Sequence, residues 1–155
     1  MTDQPVSDAF TSSFAMDALF NAIVIPCIIA SLAAAFLAIT FLQSGLDKIF
    51  DYKGNLSFLK EQFSKTFLKN MIGIFLPLLL IFEIISGLLL VAGIIWRWTN
   101  GNAGLLIMGF VLSGITFLML LFGQRVSKQY AGAVSLTGYF IITLIGLLAL
   151  ARIAY

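Results

Sequence analysis

The chain has no histidine and a single cysteine, Cys27. The first absence removes the side chain that most often serves as general base or metal ligand near neutral pH, and with it any histidine-ligated haem. The second leaves no intramolecular disulfide and no Cys-x-x-Cys redox pair. Charge is equally scarce: Asp, Glu, Lys and Arg make up 10% of the residues, against roughly a quarter in ordinary soluble domains. The net charge of +2 is too small to argue for a nucleic-acid partner. No glycine-rich stretch ends in Gly-Lys-Ser/Thr, so a phosphate loop is excluded, and no metal-ligand set can be read.

What is abundant is apolar. Hydrophobic residues make up 61% of the chain, and the mean hydropathy is +1.06. A single domain of 155 residues cannot hide that much apolar surface from water, so the missing solvent is lipid. Four runs are long enough to cross a bilayer, at residues 23–42, 71–96, 103–122 and 133–150. Only the second contains a charge, Glu83. Helix is the expected form, since lipid offers no partner to open backbone groups. The short connections after the second and third runs make neighbours antiparallel. The predicted fold is therefore an all-α, four-transmembrane-helix antiparallel bundle over residues 23–155, preceded by an N-terminal interfacial segment over 1–22.

That segment carries Asp3, Asp8 and Asp17 and no Lys or Arg. A signal peptide needs positive charge before its apolar run, so the first span is expected to be retained. Phe10 and Phe14, one turn apart, suggest a short interfacial helix over 7–21, with Pro26 starting or bending the first span. In the longest connection, Leu56, Leu59, Phe63 and Phe67 recur at three- and four-residue steps, with Lys60, Glu61, Ser64 and Lys65 elsewhere on the wheel. This spacing predicts an amphipathic helix on the membrane surface over 56–69, after a turn at Gly54 and Asn55.

Lysine and arginine gather on the cytoplasmic side of membrane proteins. Lys48, the basic surface segment Lys53, Lys60, Lys65 and Lys69, and then Arg125 and Lys128 share one side, against Arg97 and Arg152 on the other. The count places both termini outside.

Glu83 is the most informative residue, because a charge at the bilayer centre costs on the order of 3 kcal/mol. By span centres, Ser113, Thr116, Tyr139 and Thr143 lie at its level and form with it a candidate intramembrane polar site, with no basic residue at the same depth. Its carboxyl would serve as a proton carrier, as an anchor for a ligand headgroup, or as a structural tie between helices. Pro77, about a turn earlier, is expected to kink the second span. Gly87, Gly109 and Ser113, and Gly138 and Gly146 let helices approach closely. Thr40, Ser44, Asp47 and Lys48 share one face where the first span meets the surface, with Lys48 expected to snorkel. Trp96, Arg97 and Trp98 resemble an aromatic belt and end-stop, and Cys27 an inert thiol.

The segments FLQSGLDKIFDYKGNLSFLKEQF (41–63) and IFEIISGLLLVAGIIWR (81–97) resemble the DoxX/DoxD-like family of small four-helix membrane proteins. The resemblance runs in order and spacing over 32–150. The family's glycine and lysine closing its first helix correspond to Gly45 and Lys48. Its acid followed by glycines corresponds to Glu83, Gly87 and Gly93, and the following basic residue to Arg97. The arginine many members carry in or before the first helix has no counterpart in 31–39. Members usually place the N-terminus inside, opposite to the lysine count, which we follow here.

The family takes its name from a small subunit linked to a thiosulfate:quinone oxidoreductase. The resemblance implies an accessory or structural subunit of a larger bacterial inner-membrane complex, respiratory or quinone-associated, and not catalytic by itself. Its partners would be membrane lipids and other membrane subunits. No cofactor would be held by this chain alone, although a quinone or lipid could bind. Two alternatives stay open: a small proton-coupled carrier using Glu83, and a quinone-binding subunit of a membrane oxidoreductase.

Overall fold

The computed structural model of the protein describes residues 16–154. Among the described residues the bundle and its surface segment are formed by the α-helices α1 (Ile25–Phe50), α2 (Tyr52–Gln62), α3 (Ile72–Asn100), α4 (Gly104–Val126) and α5 (Tyr130–Ala154). No strand occurs among the described residues. The helical segments Met16–Phe50, Lys69–Asn100, Gly104–Val126 and Tyr130–Ile153 are each long and apolar enough to span a membrane. α1, α3, α4 and α5 close into a ring in which each packs against two neighbours, in the order α1–α3–α4–α5 and back to α1. This is the predicted antiparallel bundle.

Phe10 and Phe14 lie outside the described residues. Residues 16–22 are not a separate interfacial helix; they run without a break into α1. The junction is a π-helical turn, Phe20–Val24, just before Pro26. A proline has no N–H to give the preceding turn. The chain widens there, and the Ile25 N–H reaches back to the carbonyl of Phe20.

The surface helix also differs from its expected bounds of 56–69. α2 starts at Tyr52, so Gly54 and Asn55 lie inside it rather than in a turn before it. The reason is local: Asp51 caps the helix by accepting from the Gly54 N–H at 3.0 Å, and the Asn55 amide donates to the Asp51 carbonyl at 2.8 Å. The helix stops at Gln62, and Phe63 to Leu68 form turns before a short 3-10 segment, Lys69–Met71. Phe67 therefore leaves the apolar stripe and is exposed, whereas Phe63, Leu68 and Ile72 are buried with Leu56, Leu59, Phe75 and Val126 packed against them. Gln62 donates to the Ser127 hydroxyl at 2.9 Å, tying this segment to the α4–α5 connection on the same side of the bundle.

The central core is built from Ala30, Ala34, Leu37, Ala38 and Phe41 of α1, Leu90 of α3, Leu106, Phe110 and Phe117 of α4, and Ala149 and Leu150 of α5. The alanines let α1 approach its neighbours closely, which matters because lipid tails remove the hydrophobic drive for helices to associate. Phe41 stacks on Phe117 at 4.6 Å. Pro77 lies inside an uninterrupted α3. That helix ends at Gly101, whose φ of 72° suits glycine and whose N–H closes on the Arg97 carbonyl at 3.0 Å.

Candidate functional site

The last turns of α1 and the first half of α3 meet at two glycines. A β-carbon on Gly45 would stand 2.5 Å from Cδ1 of Ile84, and one on Gly87 would stand 2.7 Å from Cγ of Leu42. Bare backbone at both positions brings the helices close enough for short polar contacts between them. Those contacts converge on Glu83, which is 1% exposed.

Ser44 and Lys48 lie one turn apart on α1 and both face it. The Lys48 ammonium donates to Oε1 of Glu83 at 3.1 Å and lies 3.0 Å from Oε2. The Ser44 hydroxyl donates to Oε1 at 3.1 Å. Lys48 also reaches back to the Ser44 hydroxyl at 2.6 Å and to the Ser44 carbonyl at 3.2 Å. This is the only ion pair among the described residues. Oε2 meets the same ammonium as an ion-pair contact rather than through a directed hydrogen bond.

The expected snorkelling of Lys48 toward the surface is thus replaced by an inward reach. Its side chain is 15% exposed and its ammonium sits beside the acid. The physical cause is the cost of an unpaired carboxylate in an apolar interior, which exceeds what a lysine gains by extending into headgroups. The expectation that no basic residue shares the depth of Glu83 fails for the same reason. The apolar run ends at residue 42, but the helix continues to Phe50 and carries Lys48 down beside α3. Glu83 itself lies eleven residues into α3, about 16 Å by helical rise, and so nearer the lysine-rich end than the other.

The hydroxyl residues expected around Glu83 are buried or partly buried, but their hydrogen bonds go elsewhere. Ser113 donates to the Gly109 carbonyl at 2.7 Å, Thr116 to Leu112 at 2.8 Å, and Thr143 to Tyr139 at 3.0 Å. Each satisfies itself on its own helix. Thr116 also meets the Ser86 hydroxyl at 3.3 Å, one inter-helix contact near Glu83 in sequence. Tyr139 places its ring against Phe36 and Phe117. Among the family-motif positions, Gly45, Lys48, Glu83 and Gly87 come together. Gly93 instead packs on the backbone of Leu106, and Arg97 lies at the far end of α3. Lys53, Lys60, Lys65 and Lys69 are exposed. Ser44 was not among the expected partners of Glu83; its place four residues before Lys48 was the signal available for it.

At the opposite end Arg97 does not act as a free end-stop. It donates to the Cys27 thiol at 3.0 Å and to the carbonyl of Gly101, and its Nε is buried without a partner among the described residues. Trp98 donates to Ser31 at 3.0 Å. Both contacts tie α3 to the start of α1. Among the described residues no group of three or more His, Cys, Asp or Glu side chains is placed to hold a metal ion.

The family model described as DoxX matches residues 29–121, more than half of the chain. The match includes Ser44, Lys48, Glu83 and Arg97 and stops within α4. No curated protein and no solved structure matches.

Proposed function

This chain belongs to the DoxX family, and from that premise we propose that it is a non-catalytic accessory subunit of a larger complex in the bacterial inner membrane, respiratory or quinone-associated. The protein itself is a multi-pass membrane protein. The observation that carries the reading is the use made of Glu83. The one acid within the four apolar runs is spent on Lys48 and Ser44, inside a closed joint between α1 and α3. A carboxylate neutralised and covered in this way holds helices together. What remains for contact with other molecules is the outside, where Leu32, Ile39, Leu88 and Met108 present broad apolar faces. Those faces suit lipid and neighbouring subunits alike. In this reading redox centres belong to the partners, any quinone meets the chain at its apolar surface, and the termini lie outside, with the lysine-rich connections cytoplasmic.

The test is purification of the tagged chain from native membranes in a mild detergent, with mass spectrometry of everything that co-elutes. Stoichiometric partners carrying haem, flavin or iron–sulfur centres are expected. Large partners without such centres would make the chain a scaffold of another kind of complex. Recovery as an isolated chain at native expression would overturn the reading.

One observation favours a second reading, a proton-coupled carrier: Lys48 links the membrane surface to Glu83, with its ammonium 3.0 Å from Oε2. If protons move through this joint, Glu83→Gln abolishes pH-driven flux in proteoliposomes. Unchanged flux in that variant rejects the carrier.

A further inference from the structure

A half-enclosed cavity of about 160 Å³ lies between α2, the turns after it, α3 and α4. It is as large as the apolar voids of ~150 Å³ that accept a benzene ring. Its walls are apolar, with Leu59, Phe63, Ile72, Leu76, Leu79 and Leu120 among them. Water gains nothing in such a space, whereas a hydrocarbon chain from the surrounding bilayer does.

Two amides give the cavity a polar edge, Gln62 and Gln124. Gln62 is already engaged with Ser127. Gln124 is not: its Oε1 is buried and accepts no hydrogen bond. That oxygen lies against Gly132 of α5, and a donor from another molecule meets it when the side chain turns toward the cavity. The segments that supply the walls are also strongly basic. Residues 59–72 and 119–128 carry Lys60, Lys65, Lys69, Arg125 and Lys128 against one acid, Glu61. Lys60, Lys65, Lys69, Arg125 and Lys128 are all exposed. The Gln62–Ser127 bond holds the two segments on the same side of the bundle.

We propose that this cavity is a binding site for one anionic phospholipid with a hydroxyl-bearing headgroup, such as phosphatidylglycerol. An acyl chain fills the apolar space, the phosphate lies among the surrounding cations, and a headgroup hydroxyl donates to Gln124. A zwitterionic lipid offers the same chain but no net charge to the cations. Each basic residue near the surface is worth about five-fold in affinity for an anionic lipid. The site is independent of which partner subunits the chain meets.

The experiment uses the full chain in mild non-ionic detergent, exposed in turn to phosphatidylglycerol, phosphatidylethanolamine and phosphatidylcholine, with native mass spectrometry counting the lipids retained. One phosphatidylglycerol per chain is expected, retained about ten-fold or more over phosphatidylcholine. The triple change Lys60→Gln, Lys65→Gln, Lys69→Gln should reduce that preference about five-fold or more, with Arg125 and Lys128 left in place. Leu120→Trp, which fills the cavity, should lower retention roughly ten-fold. If that variant does not fold, Gln124→Leu reads the same site through its hydrogen bond and should reduce the preference for the hydroxylated headgroup. Equal retention of the three lipids would overturn the proposal. So would wild-type retention in the folded variants, or displacement of the lipid by inorganic phosphate, which would mark a free-anion site.

Discussion

α1 and α3 are fastened to each other at both ends, by opposite means. At the lysine-rich end a carboxylate that is 1% exposed meets an ammonium and a hydroxyl across two glycines. At the other end Arg97, half-buried, has no acid beside it among the described residues and donates to a thiol and a carbonyl, while Trp98 bonds Ser31. The difference follows from depth. A charge far from water must be matched by another charge, so the Glu83 joint is specific in residue type and register. A guanidinium near the surface keeps access to solvent and headgroups, so neutral acceptors suffice.

The contrast predicts unequal responses to substitution. The largest is at Lys48→Met, which leaves Glu83 without its counter-charge. It should destabilise the bundle by about 3–5 kcal/mol, read from unfolding in detergent micelles. Changing both partners, Lys48→Met with Glu83→Leu, should recover most of that loss, to within about 1 kcal/mol of the parent, because no charge then remains buried. A double variant as unstable as the single would mean that the pair does more than neutralise. Next comes Gly87→Leu, which forces a side chain into Leu42 and should cost about 1–3 kcal/mol while prising Ser44 and Lys48 from the acid. At the other end the effects should be smaller. Arg97→Met and Trp98→Phe should each cost about 0.5–1.5 kcal/mol, the range of ordinary hydrogen bonds. An Arg97 variant as damaging as Lys48→Met would erase the distinction between the ends.

The same contrast explains what could be read from the sequence. The four spans were legible because apolar runs of bilayer length have few other uses. Glu83 stood out because it alone broke one. Its partner was hidden by a rule of thumb. Hydropathy ends the first run at residue 42, yet the helix runs on to Phe50, and the register of α1 against α3 depends on Gly45 and Gly87 facing each other. Ser113, Thr116 and Thr143 are at suitable depth, but each had a carbonyl one turn back on its own helix and needed no carboxylate. The Arg97–Cys27 contact joins residues 70 apart, and no local pattern announces it. The end of α2 at Gln62 was equally hidden, because the apolar spacing continues to Phe67 while the helix does not.

The most direct test of the account combines the joint with the assembly. The parent chain and the Lys48→Met/Glu83→Leu double variant are expressed at native level, tagged, solubilised gently, and compared by quantitative mass spectrometry of co-eluting proteins. The account predicts the same stoichiometric partners with both, since the pair is structural and the contacts lie on the outer faces. A chain recovered alone in its parent form, or partners lost from a double variant that remains folded, would contradict it.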